Sequence, residues 1–384
     1  MKKQLFPLIV FCFFVTGNLL AQQSALPFLI GTYTQGQSQG KGIYLSEFLP
    51  ADGTMKFAEL VAPCAAPAFV VKHPDKSIIY SVGETWESGK GPIYSFSLDS
   101  KTNRLTPLGE LLIPGTGPTH LCVCGDSLVV ACYGSGNIVS ISLEKDGRLG
   151  KVVSAIQHEG SGPNSNRQKE PHPHGAYVVP GTTQIIIPDL GMDKLMIYEF
   201  DSATSKLTSA AQPFLAMPAG SGPRHLDFDP TNSARLFVVN ELDSTVCTVE
   251  QNAEKRWNVT QTASTLLPEI LADSEKLAKL NNSTAEIEVH PSGEFVYASN
   301  RGHDSIAVFA VEKASGKLTL IQTEPTQGQT PRHFAITPCG GFMLAANQDS
   351  NSVTAFRIDT KSGKLSFLGQ KINVGAPVCV VWLN

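Results

Sequence analysis

The sequence predicts an all-β fold: a seven-bladed β-propeller with four-stranded blades, closed by pairing of its N- and C-terminal strands. Three observations carry this reading. One turn, usually with proline at its second residue, recurs seven times: APAF at 66–69, GPTH at 117–120, HPHG at 172–175, GPRH at 222–225, TAEI at 284–287, TPRH at 330–333 and APVC at 376–379. The second residues are spaced by 51, 55, 50, 62, 46 and 46 positions, one supersecondary unit per recurrence. The chain also begins with a second-strand pattern, PFLIGTYT (27–34), and ends with a first-strand pattern, VCVVWLN (378–384), so the C-terminus completes the blade that the N-terminus opens.

Within each unit the elements follow in order. The entry turn leads into an apolar first strand and then a short turn such as HPDK, DPTN, HPSG or TPCG. A second strand follows (SIIYSVG, RLFVVNE, FVYASNR, FMLAANQ), then an Asp/Ser/Asn-rich turn and a third strand (DSTVCTV, DSIAVFAV, NSVTAFRI). A hairpin and a fourth strand close the unit (SGKLTLI, SGKLSFL, TSKLTSA, TNRLTPL). Such a small sheet cannot cover both its faces alone, so neighbouring units must stack around an axis. Two insertions break the period: HEGSGPNSNRQKE (158–170), and about 251–283, where LLPEILADSEKLAKL has helical spacing.

Residues 1–21 stand apart. Lys2 and Lys3 precede the apolar run LFPLIVFCFFV, too short to span a membrane, and Ala21 offers a cleavage point. This predicts a signal peptide, export to the periplasm or the outside, and one mature domain over 22–384. The 384 residues carry a net charge of −4, which becomes −6 without the leader, so nucleic acid is excluded as an expected partner. Eight cysteines fall to seven after cleavage and sit mostly in apolar runs, as small buried hydrophobes do. Cys122 and Cys132, flanking a predicted hairpin turn, form one candidate disulfide. No zinc-type spacing is present.

The turns also carry charge. In a ring, equivalent positions of successive blades become neighbours at one mouth of the channel. The entry turns supply His172, His174, Arg224, His225, Arg332 and His333. The ends of the second strands supply Asp189, Asn240-Glu241, Asn300-Arg301 and Asn347-Gln348. Since strands alternate in direction, both sets are expected at the same mouth. A mildly acidic protein that gathers Arg and His there points to a small anionic or oxyanion-forming molecule. Glu241 stands where other blades place Arg301 and Gln348, a departure that a purely structural repeat does not need. His172 and His174 with Glu241 begin a metal-ligand set, but no further ligand is visible, so no metal and no cofactor is expected.

Longer segments resemble a known family: GTYTQGQSQGKGIY (31–44), GSGPNSNRQKEPHPHG (160–175), GPRHLDFDP (222–230), VVNELDSTV (238–246), NSTAEIEVHPSGEFVYASNRGHDSI (282–306) and TPRHFAITPCGGFMLAANQDSNSV (330–353). They resemble the seven-bladed β-propeller lactonases, the 6-phosphogluconolactonase type related to fungal carboxy-muconate cycloisomerase. The resemblance implies a metal-independent catalytic site of His174, Glu241, Arg224 and Arg301. His172, His225, Asn300, Arg332 and His333 are expected to bind substrate around it. It further implies hydrolysis of a sugar lactone: His174 activates water, an arginine holds the oxyanion, and Glu241 orients the histidine or protonates the leaving hydroxyl. Direct attack by water is expected rather than an acyl-enzyme. Muconate-type cycloisomerisation and non-catalytic glycan or peptide binding are the alternatives.

Overall fold

The computed structural model describes residues 25–86 and 89–383. The predicted leader lies outside them. Seven antiparallel sheets are arranged as blades. Blade 1 runs from its inner strand Val70–Lys72 through Ile78–Val82 and Lys90–Leu98 to Leu105–Pro114, and blades 2 to 6 repeat this order. Blade 7 is closed across the termini, as expected. Its inner strand is the C-terminal Pro377–Trp382, which pairs antiparallel with the N-terminal Leu26–Thr32. Gly42–Leu49 follows, with Thr54–Met55 and Glu59–Pro63 on its outer edge.

Burial explains why the strands read as they do. The second strand of each blade is packed on both faces, so Phe342–Asn347 is buried at every residue and its sequence is a continuous apolar run. The outermost strand has one wet face, so Leu365–Asn373 alternates. Seven apolar clusters fill the seven blade junctions. Between blades 4 and 5, for example, Phe237 and Val239 meet Val296, Ala298 and Phe309. The core is therefore distributed around the ring, and each blade depends on two neighbours.

The recurring turn has one conformation that aims side chains at the axis. The residue before proline is left-handed at Ala66, Gly117, Gly222, Thr330 and Ala376, with φ between 39 and 63°. At Gly222 a side chain would also meet Leu242, 2.6 Å from a Cβ built there. Just after the proline the pairing register slips, between Pro223 and His225 and between Pro331 and His333. The extra residue of that bulge, Arg224 or Arg332, is unpaired and free to turn into the channel.

The second insertion forms two short helices, Pro268–Leu271 and Ser274–Leu280. Among the described residues no helix is long and apolar enough to cross a membrane. The proposed Cys122–Cys132 disulfide is absent. In the ladder Cys122 faces Val129 and Cys132 faces Pro118, and all seven described cysteines are free. The hairpin offset between the two residues is the physical reason.

Candidate active site

The chain places one residue of every blade at the mouth, at or just past the end of its second strand: Tyr33, Glu84, Tyr133, Leu190, Glu241, Arg301 and Gln348. In six of the seven the backbone N–H is tied to the entry turn beside it. Glu241 donates to Gly222 at 2.8 Å and Glu84 to Ala66 at 2.9 Å, while Tyr33 and Gln348 make the equivalent bonds to Ala376 and Thr330 at 3.0 Å. Both expected sets of residues thus meet at one mouth.

Between them lies a cavity of about 180 Å³. The second-strand ends contribute Tyr33, Glu84, Tyr133, Glu241 and Arg301 to its wall. The entry turns contribute Thr119, His174 and Arg332, and two loops contribute Trp86 and Arg167. Of the residues expected from the sequence, His174, Glu241, Arg301 and Arg332 line this cavity.

The others are placed differently. Arg224 is 1% exposed and sits behind the wall, its Nε donating to Glu241 at 3.1 Å and its Nη1 to the Ala285 carbonyl at 2.6 Å. It holds other groups rather than substrate. His172 turns aside, stacked on Tyr133 with 4.4 Å between centroids, and its Nδ1 lies 2.9 Å from the Tyr133 carbonyl. His225 and His333 lie one layer deeper. Asn300 braces the second insertion instead of the cavity, accepting from Thr265 Oγ1 at 2.7 Å and from Asn282 Nδ2 at 2.9 Å. That role is invisible in a sequence where Asn300 adjoins Arg301.

Glu241 is the centre of an arginine clamp. Arg167 Nη2 approaches its Oε1 at 2.6 Å; Arg301 Nη2 and Arg224 Nε approach Oε2 at 2.9 and 3.1 Å. Burial raises the carboxyl pKa, but Arg301, Arg224 and Arg167 outweigh it and hold Glu241 well below the usual carboxylate range. Glu241 is therefore an ionised anchor. The expectation that it protonates a leaving hydroxyl does not suit this geometry, nor does it hydrogen-bond His174.

His174 is held by a chain of groups running down the axis. Its Nδ1 lies 3.2 Å from His225 Nε2, and His225 Nδ1 lies 3.0 Å from Glu286 Oε1. His333 Nε2 lies 3.3 Å from the same carboxylate, and Ile287 N donates to it at 3.1 Å. An ionised carboxylate only accepts, so it fixes the proton of His225 on Nδ1. His225 Nε2 is then an acceptor, approached by His174 Nδ1 at 3.2 Å and by Arg224 Nη1 at 3.3 Å, so His174 presents Nδ1–H to it. This leaves the lone pair of His174 on Nε2, which has no partner among the described residues. Burial first, then the charges of Arg224 and His225, hold His174 well below the ordinary imidazole range, so it is neutral at pH 7.

Arg332 complements this base. Among the described residues it has a 3.6 Å ion pair with Glu84 and lies over the Tyr33 ring, 5.1 Å from the centroid. Glu84 is itself oriented by Tyr33 Oη, 2.9 Å from both its oxygens, and by Thr119 Oγ1 at 3.1 Å.

The sequence reading missed Tyr33, Glu84, Trp86, Thr119, Tyr133, Arg167 and Glu286. A strict register would have found Tyr33, Glu84 and Tyr133, which follow their second strands as Glu241 and Arg301 do. Arg167 comes from the first insertion. Gln168 beside it is fully buried and donates to the Leu190 carbonyl at 2.8 Å and to Asp193 at 2.7 Å, pinning the loop so that Arg167 reaches across. One serine has the spacing of a hydrolase nucleophile, GQSQG at 36–40. Ser38 lies on a loop, its hydroxyl donates to the Tyr33 carbonyl, and among the described residues no imidazole is bonded to it.

A channel-mouth cavity with a tautomer-fixed imidazole and facing guanidinium groups defines a propeller enzyme acting on an electrophilic carbonyl. The family described as "Lactonase, 7-bladed beta-propeller" matches residues 27–382, and the chain belongs to that family. A 6-phosphogluconolactonase of Bacillus subtilis is 33% identical over 358 residues, covering 92% of this chain and 97% of the relative. The structure of the Pseudomonas aeruginosa periplasmic gluconolactonase aligns with a TM-score of 0.85 at 28% identity, over 94% of this chain and 99% of that one. A Bacteroides fragilis structure aligns with a TM-score of 0.86 at 29% identity, over 95% and 99%.

Proposed function

We propose that this lactonase opens a sugar lactone by direct attack of water. The observation that supports this most is the His174–His225–Glu286 chain, which leaves a neutral imidazole nitrogen open to the cavity. His174 Nε2 takes a proton as the water oxygen bonds to the lactone carbonyl carbon. The oxyanion forms against Arg332, whose donors are otherwise nearly free. As the tetrahedral carbon collapses, the bond to the ring oxygen breaks and the imidazolium returns its proton to that oxygen. The product is the open hydroxy acid. Arg301 and Arg167, ordered by Glu241, orient the substrate hydroxyls or an anionic substituent.

The relatives support a gluconolactone-like substrate, phosphorylated or free. The pattern of residues 1–21 supports export, which N-terminal sequencing of the mature protein tests directly. Activity is tested with phosphorylated and free gluconolactones and galactonolactones, wild type beside His174→Ala. Opening of at least one lactone that is lost in the variant supports the reading. A wild-type rate no higher than the uncatalysed one on every lactone, with both proteins folded, overturns it.

A further inference from the structure

The inner cavity is small, about 180 Å³, below the roughly 300–1,000 Å³ usual for small-molecule sites. It has room for little beyond one sugar-sized ring. At Tyr33, Glu84 and Trp86 it opens into a second cleft of about 600 Å³, which the hydrolytic mechanism leaves without a role. The chemistry changes at that boundary. Arg167, Arg301 and Arg332 all face the inner cavity. Among the described residues the outer cleft is lined by no lysine or arginine; its far wall is Gln35, Gln37, Ser38, Gln348, Asp349 and Asn351.

Amide and carboxylate groups without a cation suit neutral hydroxyls, whereas a phosphate calls for arginine or lysine. Among the described residues neither the Gln35 nor the Gln37 amide has a protein partner, and both side chains are exposed. Trp86 stands at the junction and belongs to both spaces. It is 51% exposed, so one part of the indole is open to the cleft. Tyr133 supports it edge to face, with 6.1 Å between centroids. A supported, half-exposed indole beside unpartnered amides offers an apolar platform and hydrogen bonds together, the pairing that the two faces of a pyranose require.

We propose that the outer cleft is a glycosyl subsite, and that the preferred substrates are lactones of aldonic acids carrying a second sugar. The lactone ring occupies the inner cavity and the attached sugar rests on Trp86, bonded by Gln35, Gln37 and Gln348. The proposal rests on the lactonase reading for its inner half only.

The test compares kcat/KM for cellobiono-δ-lactone and glucono-δ-lactone, with calorimetric titration of cellobionate and gluconate alongside. The wild type is expected to favour the disaccharide lactone by about tenfold, and Trp86→Ala and Gln37→Ala are each expected to shrink that ratio toward one. Cellobionate is expected to bind more tightly than gluconate in a Trp86-dependent way. Equal kcat/KM for the two lactones, or a ratio that neither substitution moves, overturns the subsite and leaves the lactonase reading standing. Trp86-dependent cellobionate binding without turnover of any lactone supports the subsite and overturns the hydrolytic reading instead. Absence of both turnover and Trp86-dependent binding overturns both.

Discussion

The imidazoles of His174 and His225 meet edge to face in the channel, Nδ1 to Nε2 at 3.2 Å, although they belong to the entry turns of neighbouring blades. Glu286, from a third blade, completes the line at 3.0 Å. With Glu286 ionised, the line sets the proton of each ring: the carboxylate accepts from His225 Nδ1–H, and His225 Nε2 accepts in turn. The ring closure that builds the fold thereby sets the protonation state of the base.

Replacing Glu286 by Gln keeps the shape and removes the charge that fixes the tautomers. A decrease of about 10²-fold in kcat is expected, at the lower end of what a positioned base contributes. The pH–rate profile separates this from a packing defect. Activity requires Glu286 ionised and His174 neutral, so it falls as pH falls. Burial raises the Glu286 pKa, which His333 and Arg224 oppose, so this carboxyl helps set the acid limb. In Glu286→Gln that limb should move. A profile scaled down without moving would leave Glu286 a purely structural part.

Glu241 is expected to matter for stability as much as for rate. Glu241→Ala removes the common partner of three guanidinium groups, and Arg224 is too deeply buried to recover its solvation. Breaking a buried pair in this way costs about 3–5 kcal/mol. Adding Arg224→Met should restore part of it, because the orphaned charge goes too. Urea unfolding of the single and double variants checks this. An Ala variant as stable as wild type would contradict the clamp.

Much of this was readable from the chain. The blade count, the terminal closure and the convergence of GPRH, TPRH and PHPH at one mouth follow from a repeat that places equivalent residues at equivalent heights. The depth of a residue at that mouth was not readable. Arg224 and Arg332 occupy equivalent bulges, yet Arg224 is tied down by Glu241 of its own blade at 3.1 Å and by the Ala285 carbonyl at 2.6 Å, while Arg332 meets Glu84 only at 3.6 Å and lies over the Tyr33 ring at the cavity wall. Glu286 was passed over although its turn, TAEI, was recognised as one of the seven, because a carboxylate stands there at the position that holds arginine in GPRH and TPRH. Arg167 was hidden because insertions have no register.

Arg332 and Arg301 should separate by kinetic signature. If Arg332 meets the oxyanion, Arg332→Ala lowers kcat by about 10²–10³-fold with little change in KM. Arg332→Lys should recover only part of this, because a point charge does not reproduce the planar fork. Arg301 is anchored to Glu241 and to the Thr284 carbonyl at 2.7 Å, so Arg301→Ala should act more on KM. Steady-state kinetics on one lactone decides; the reverse pattern exchanges the two roles.

The channel groups also predict how stability varies with pH. Burial first, then neighbouring charges, depresses the pKa values of His120, His174 and His225 well below 6.5, and that of His333 to about 4. Below pH 6.5 the unfolded chain binds protons that the folded one refuses, so stability is progressively lost on acidification. The buried carboxyls act in the opposite direction. Burial raises Asp227 to about 7 and Glu288 well above the carboxylate range. An acid whose folded pKa is raised contributes stability at low pH that is lost as pH rises through that value. Stability should therefore decline on both sides of a maximum set by these opposing groups. Asp227→Asn should be relatively more favourable at pH 8 than at pH 5, because the wild type holds Asp227 itself ionised at pH 8 and mostly neutral at pH 5. Thermal unfolding of both proteins at the two pH values measures this directly; an equal difference at both would mean that Asp227 does not titrate in the folded channel.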